Sequence, residues 1–225
     1  MSISEVEARY EAKREAAPAL AVAFLVLVVL AVVSWAQGWE LLNRVPGWVW
    51  LLLAVPELAL LIDLYFGAGL ARTRRLALVS LGVLVAFNAC ALLILVAGLV
   101  TTSTRDLGGG ELLLTAVVIL ITNVIVFGLW FWEIDDGGPV ERRRHPRAVP
   151  DFQFPQDENP GLAAAGWRPR LWDYLYVSLT NSIAFSPTDA MPLSRHAKAL
   201  MGIESAISVV SVLLVAARAV NVLGS

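Results

Sequence analysis

Within ten residues near the C-terminal end, Thr180, Asn181, Ser182, Ser186, Thr188 and Asp189 collect hydroxyl, amide and carboxylate oxygens. Arranged around an axis, such oxygens replace part of a cation's water shell, and the Asp189 charge draws cations toward them. Ile183, Ala184 and Phe185 interrupt the set with apolar side chains. Apolar residues at a constriction gate by excluding water. The same polar atoms have a structural use: Thr188, Asp189 and Ser194 can cap free backbone N–H groups at the start of a following helix.

Four more polar residues stand inside apolar runs: Glu57, Asn88, Asn123 and Glu204. An ionisable group in such a run costs several kcal/mol unless it is paired or hydrated, and it marks an ion or proton path by default. Glu57 has two readings: an ion or proton site, or a structural carboxyl bonded to Asn88 or Asn123. Asn88 and Asn123 themselves fit interhelical hydrogen bonding. Glu204 reads as an ion-pair partner of Arg195 or Lys198, or as an acid lining the path. Asp63 is close enough to Arg72, Arg74 and Arg75 to pair with them.

Other chemistry has no foothold. His145 and His196 share no ligand spacing with each other or with Cys90, so no metal site is expected. Cys90 lies in an apolar run and reads as a buried packing residue. No glycine-rich phosphate loop and no Ser/His/Asp spacing is present, so the chain does not read as an enzyme. It reads as needing no cofactor and as binding no nucleic acid.

The elements that hold these residues are set by hydropathy. Hydrophobic residues make up 58% of the 225, and the mean hydropathy is +0.70. Both exceed what an ordinary soluble domain shows. The pattern predicts an all-α integral membrane protein with five transmembrane helices plus one re-entrant pore-type half-helix before the last span. Residues 1–16 are a charged N-terminal amphipathic segment, with Glu5–Arg9 and Glu11–Arg14 at helix-supporting spacings. Residues 17–132 form a four-helix membrane region with spans at 17–36, 46–69, 76–100 and 111–132. Each is long enough for the bilayer core. Residues 133–170 are a long polar loop, rich in Gly and Pro and read as an irregular connection. Residues 171–225 hold a half-helix over 171–184, its return, and the last span at 199–223. Trp35, Trp39 and Trp48 cluster at one interface, as aromatic belts do.

Charge distribution orients the chain. Arg9, Lys13 and Arg14, then Arg72, Arg74 and Arg75, then the 142–170 arginines alternate with single arginines, Arg44 and Arg105. Basic short loops favour the cytoplasm. This puts the N-terminus inside and the C-terminus outside a bacterial plasma membrane. Arg168 and Arg170 flank the half-helix on one side, and Arg195 and Lys198 on the other. Both flanks then sit on one face, and a segment between them has to re-enter. The run Arg142–Arg147 reads as a topology determinant or a lipid-headgroup contact.

Residues Leu179-Thr-Asn-Ser-Ile-Ala-Phe-Ser186, followed by Pro192-Leu193 and an apolar helix, resemble the pore module of the potassium-channel superfamily. The resemblance implies a pore helix, a filter opening at Thr180 and an inner helix, in an oligomer that is a tetramer by analogy. The two filter glycines of that family fall on Ile183 and Phe185, so potassium selectivity is not implied. A longer set is similar to a bacterial multi-span membrane family of unknown function. It comprises Asp151-Phe-x-Phe-Pro-x-Asp-Glu158, Trp172-Asp-Tyr-Leu-Tyr176 and Ala184-Phe-Ser-Pro-Thr-Asp189. The expectation is a channel-like membrane protein passing an inorganic cation in the lipid bilayer. The alternatives are a proton-coupled small-solute transporter using Glu57, and a non-conducting membrane scaffold.

Overall fold

The helix over 109–134 is apolar on every face, and a helix of that kind belongs inside a bundle. The structure, a computed structural model, describes residues 3–37, 40–41, 45–46, 52, 54–56, 58–59, 62, 70–100, 109–144, 149–184 and 189–223. The long helices are α1 (Ile3–Ala36), α2 (Leu70–Val100) and α3 (Gly109–Ile134). After α3 come a 3₁₀ turn (Asp135–Gly137), α4 (Pro139–Arg144), α5 (Pro155–Glu158) and a second 3₁₀ turn (Pro160–Leu162). Then follow α6 (Leu171–Ala184) and the long α7 (Arg195–Leu223). Two short antiparallel pairs complete the description: β1 (Glu40–Leu41) with β2 (Val45–Pro46), and β3 (Phe152–Gln153) with β4 (Met191–Pro192).

Among the described residues, four helices are long and apolar enough to cross a membrane: Arg14–Ala36, Arg74–Ile94, Leu113–Gly137 and Arg195–Ala216. The chain is mostly helical, as its hydropathy demands. The expected span at 46–69, with Glu57 and Asp63, lies largely outside the described residues. The charged arm is not a separate segment. It is the first part of α1, which continues through Pro18 into the apolar run. Proline lacks the N–H that would bond the Arg14 carbonyl. Arg14 is exposed, so water can serve that carbonyl.

α3 is the hub, and α1, α2, α6 and α7 all pack against it. Its apolar window is 61% buried, against 28% for those of α2 and α7. Phe127 and Phe131 are fully enclosed. The outer helices turn Val22, Leu25, Val29, Val79, Phe87 and Leu213 outward. That much exposed apolar surface suits a lipid environment and not water. Cys90 stands exposed on α2, not buried as expected, because the buried face of α2 falls instead on Leu81, Leu84, Asn88, Ala91 and Leu92.

The described parts of the 133–170 segment are built into the fold, where an irregular connection was expected. Asp136, Gly137 and Gly138 take left-handed φ values of 52°, 82° and 96° and turn the chain off α3. The two glycines make that turn cheap. Phe152 and Phe154 then plug back into the core, edge-on to Tyr174. The buried Asp135 carboxylate ties the cap together. Its Oδ1 accepts from the Asp151 and Phe152 amides at 2.8 and 3.0 Å. Its Oδ2 accepts from the Tyr174 hydroxyl at 2.5 Å and lies 3.5 Å from Arg142.

α6 runs antiparallel to α3. Tyr174 meets Asp135, Leu175 meets Gly128, and Ser178 Oγ donates to the Val124 carbonyl at 2.8 Å. The chain then comes back to the end of α3 where α6 began. β4 pairs with β3 there, and the Leu193 amide donates to the Asp151 carbonyl at 2.8 Å.

The α3–α6 approach depends on a missing side chain. A Cβ on Gly128 would stand 2.7 Å from Leu175 Cδ2 and 3.0 Å from Leu175 Cα. Gly128→Ala therefore has to push α6 away from α3, and overpacking of this kind costs about 1–3 kcal/mol. Unfolding in detergent should show that loss, while Gly202→Ala, where a Cβ meets open space, should show none.

Candidate functional site

The polar residues inside the bundle gather on three helix faces. On α7, Glu204, Ser208 and Ser211 recur at i, i+4 and i+7, and all three are fully buried. On α6, Ser178, Asn181 and Ser182 recur at i, i+3 and i+4, and these are buried too. Such spacings place residues on one helix face. α3 adds Asn123, with no exposed surface. The three faces meet, and Glu204 is at their centre.

Both carboxyl oxygens of Glu204 are engaged. Oε1 is contacted by the Ser178 hydroxyl and by the Ser182 hydroxyl, the latter at 3.1 Å. Oε2 accepts from the Asn181 amide at 2.6 Å. The same amide nitrogen donates to the Met201 carbonyl at 3.0 Å. A carbonyl only accepts, so this contact fixes which end of Asn181 faces Glu204. Ser205 closes the other end, donating to Asn181 Oδ1 at 3.2 Å. A chain of donors continues behind Ser182. Asn123 Nδ2 donates to Ser208 Oγ at 3.0 Å, and Ser208 donates to Ser182 Oγ at 2.9 Å. Asn123 Oδ1 is buried and has no hydrogen-bond partner among the described residues.

Several expected site residues take other places. Thr180, Asn181, Ser182, Ile183 and Ala184 are all helical, the last residues of α6. A filter of stacked carbonyls needs backbone whose carbonyls are free to face a path, and helical carbonyls bond along the helix. These five therefore do not form a filter strand. Thr180 turns its hydroxyl to the Tyr176 and Val177 carbonyls, and Ile183 faces outward. Phe185, Ser186 and Thr188 lie outside the described residues, as does Glu57. Asn181 is locked to Glu204, whereas Asp189 comes under the charge of Asp173 in the first turn of α6. Burial first, then that like charge, raises the Asp189 pKa from the ordinary aspartate value.

Glu204 has hydroxyl and amide partners, not Arg195 or Lys198, because α7 turns this residue inward while both cations stay exposed. Asn88 does bridge helices: Thr122 donates to its Oδ1 at 3.4 Å. Arg142, the first residue of the Arg142–Arg147 run, is drawn into the fold. It donates to the Asp135 carbonyl at 2.9 Å and lies 5.2 Å from the Tyr174 ring centre. Ser194 caps α7 as expected, accepting from the Ala197 amide at 3.2 Å. Asp173 and Glu15 serve the start of α6, accepting from the Arg170 amide at 2.6 Å and the Leu171 amide at 3.1 Å. Carboxylates suit a helix N-terminus.

The serines were the missed residues. Ser178, Ser205, Ser208 and Ser211 had a readable signal, a polar stripe at helical spacing on helices otherwise apolar. Comparison with protein-family models, with curated proteins and with solved structures finds no match. The functional reading rests on the site itself.

Glu204→Leu removes the acceptor of Ser178, Asn181 and Ser182 together, and each stranded buried donor costs about 1–3 kcal/mol. Glu204→Gln retains an oxygen for Asn181 and offers an NH₂ to Ser178. Unfolding in detergent should find the Leu variant several-fold more damaging than the Gln variant. At the mouth, Asp173→Asn removes the like charge and should lower the Asp189 pKa, read by carboxyl NMR titration. A raised carboxyl opposes folding as pH climbs out of the aspartate range toward its folded pKa. The lowered Asp189 pKa favours folding over that window and above it, while the carboxylate lost from the start of α6 opposes folding at every pH where it is ionised, so the Asp189 titration and not overall stability is the readout.

Proposed function

We propose that the protein is a channel-like membrane protein that conducts a small cation, with Glu204 as the group that binds it in transit. The observation that carries this reading is a single carboxyl, fully buried, where three helices meet, held among the described residues by neutral hydroxyl and amide groups. A purely structural acid in lipid is usually paired with a cation; an unpaired one marks an ion or proton path. Glu204 lies nine residues into α7. That is about 14 Å of helix, close to the middle of a hydrocarbon core about 30 Å thick.

α6 acts as a re-entrant half-helix in this proposal. Support comes from its length of 14 residues, about 21 Å, too short to span. Support comes also from the return of β4 to the end of α3 where α6 starts. The conducting path runs along the seam of Ser178, Ser182, Glu204 and Ser208, inside one protomer. A shared axis between copies is not needed for it. Trp172, Tyr176, Leu179 and Ile183 face away from the seam, as a lipid-facing stripe does.

Reconstitution into liposomes with an ionic gradient tests the reading. Cation flux should appear with the wild-type protein and fall by about tenfold or more in Glu204→Gln, the loss of one good transition-state interaction. A folded protein that carries no flux would refute conduction and leave a scaffold role.

A further inference from the structure

The conduction reading leaves the cation unnamed, and the geometry points to the proton. This inference rests on the preceding proposal for its place in transport, but its own content is a proton-exchange site made by Glu204 and Ser178.

The donor set does not suit a metal ion. A hard cation needs about six oxygen ligands offering lone pairs. Around Glu204 the groups offer hydrogens instead. The Asn181 N–H is held toward Oε2 by the Met201 carbonyl. The Ser182 O–H is turned toward Oε1 because its own oxygen accepts from Ser208, which accepts from Asn123. Turning those donors away would cost the Asn181–Met201 bond and leave the Ser182 hydrogen without its acceptor.

A proton fits without rearrangement, and one hydroxyl shows how. Ser178 Oγ lies at hydrogen-bonding range of two acceptors, Glu204 Oε1 and the Val124 carbonyl. A serine has one proton to donate. When Glu204 is ionised, Ser178 donates to Oε1. When Glu204 takes up a proton on Oε1, that new O–H donates to Ser178 Oγ, and the Ser178 hydroxyl swings to the Val124 carbonyl. Ser182 and Asn181 keep their donations in both states. The neutral and charged forms thus each have a complete set of hydrogen bonds, and they differ by one added proton and one rotated hydroxyl.

The neighbouring elements bring no competing charge to this carboxyl among the described residues. α3 presents Asn123 and the Val124 carbonyl, α6 presents Ser178, Asn181 and Ser182, and α7 presents Ser205 and Ser208. α2 packs against α7, and its Arg74 is held at the end of α3 by the Glu133 carbonyl. Asp135 and Arg142 are tied to Tyr174, one helical turn before Ser178. Arg195, His196 and Lys198 are exposed in the first turn of α7.

Infrared difference spectroscopy of the full chain in lipid vesicles tests the site without needing transport. A protonated-carboxyl C=O band should appear on acidification, be absent in Glu204→Gln, and shift in frequency in Ser178→Ala. Proton flux into the same vesicles should exceed sodium and potassium flux, and should drop about tenfold in Ser178→Ala, one lost hydrogen bond in the transfer step. If no Glu204 band titrates, or if Ser178→Ala leaves the band where it was, the site is wrong. Sodium or potassium flux in the absence of a titrating band would overturn the proton assignment and spare conduction. A Ser178-dependent band in vesicles that pass no ion would uphold the site and refute conduction.

Discussion

A carboxyl group at the middle of a helix bundle has to find its hydrogen bonds within the protein, because lipid offers none. Glu204 is that group, and the arrangement of α3, α6 and α7 follows from serving it. Its two oxygens draw Ser178, Asn181 and Ser182 from α6. Its own helix and α3 supply the donors behind them. Because side-chain groups on α6 must come within about 3 Å of α7 while its backbone lies against α3, α6 cannot drift outward. Gly128 allows that closeness by having no side chain to stand between α3 and Leu175.

The second constraint sits at the end of α3. There the chain leaves the apolar helix, and the last carbonyls of α3 lose their helical partners; Arg74 donates to that of Glu133. Asp135 collects the Asp151 and Phe152 amides, the Tyr174 hydroxyl and Arg142 around one carboxylate. The cap segment, the start of α6 and the β3–β4 pair are therefore tied to one point. Glu15 of α1 adds a further tie at the first amide of α6. The two carboxylates hold α6 differently: Asp135 sets where it starts, and Glu204 sets which face it buries.

Much of the fold was legible in the residues. The apolar runs of α1, α2, α3 and α7 are long enough for a hydrocarbon core, and length with hydropathy reads them directly. The limits of α6 were legible too, since Pro169 precedes it, Asp173 stands in its first turn, and Ser186-Pro187 follows it. Proline restricts the residue before it to extended backbone. The Ser194 cap was read for the same local reason. The cap segment was misjudged. Its Gly and Pro content is that of a loop, but its order comes from Phe152, Phe154 and Asp135 meeting partners far along the chain. The filter reading weighted the residue types of 180–189 over their periodicity. Asn181 and Ser182 share a helical stripe with Ser178, and that spacing pointed to a buried face instead of a strand of free carbonyls.

The sequence alone determined that the chain is helical, that it carries apolar runs long enough to cross a membrane, and that a short polar helix stands before the last of them. These follow from local hydropathy and from Pro, Ser and Asp acting on their neighbours. Only the tertiary structure decided the partners of Glu204. Ser178 lies 26 residues away and the Asn123 amide 81 residues away, and no local rule links them. A buried carboxyl can be satisfied by a cation from its own helix end or by hydroxyls from another helix. Which of the two holds depends on how the helices are rotated against one another, and that rotation is set by packing across the whole bundle.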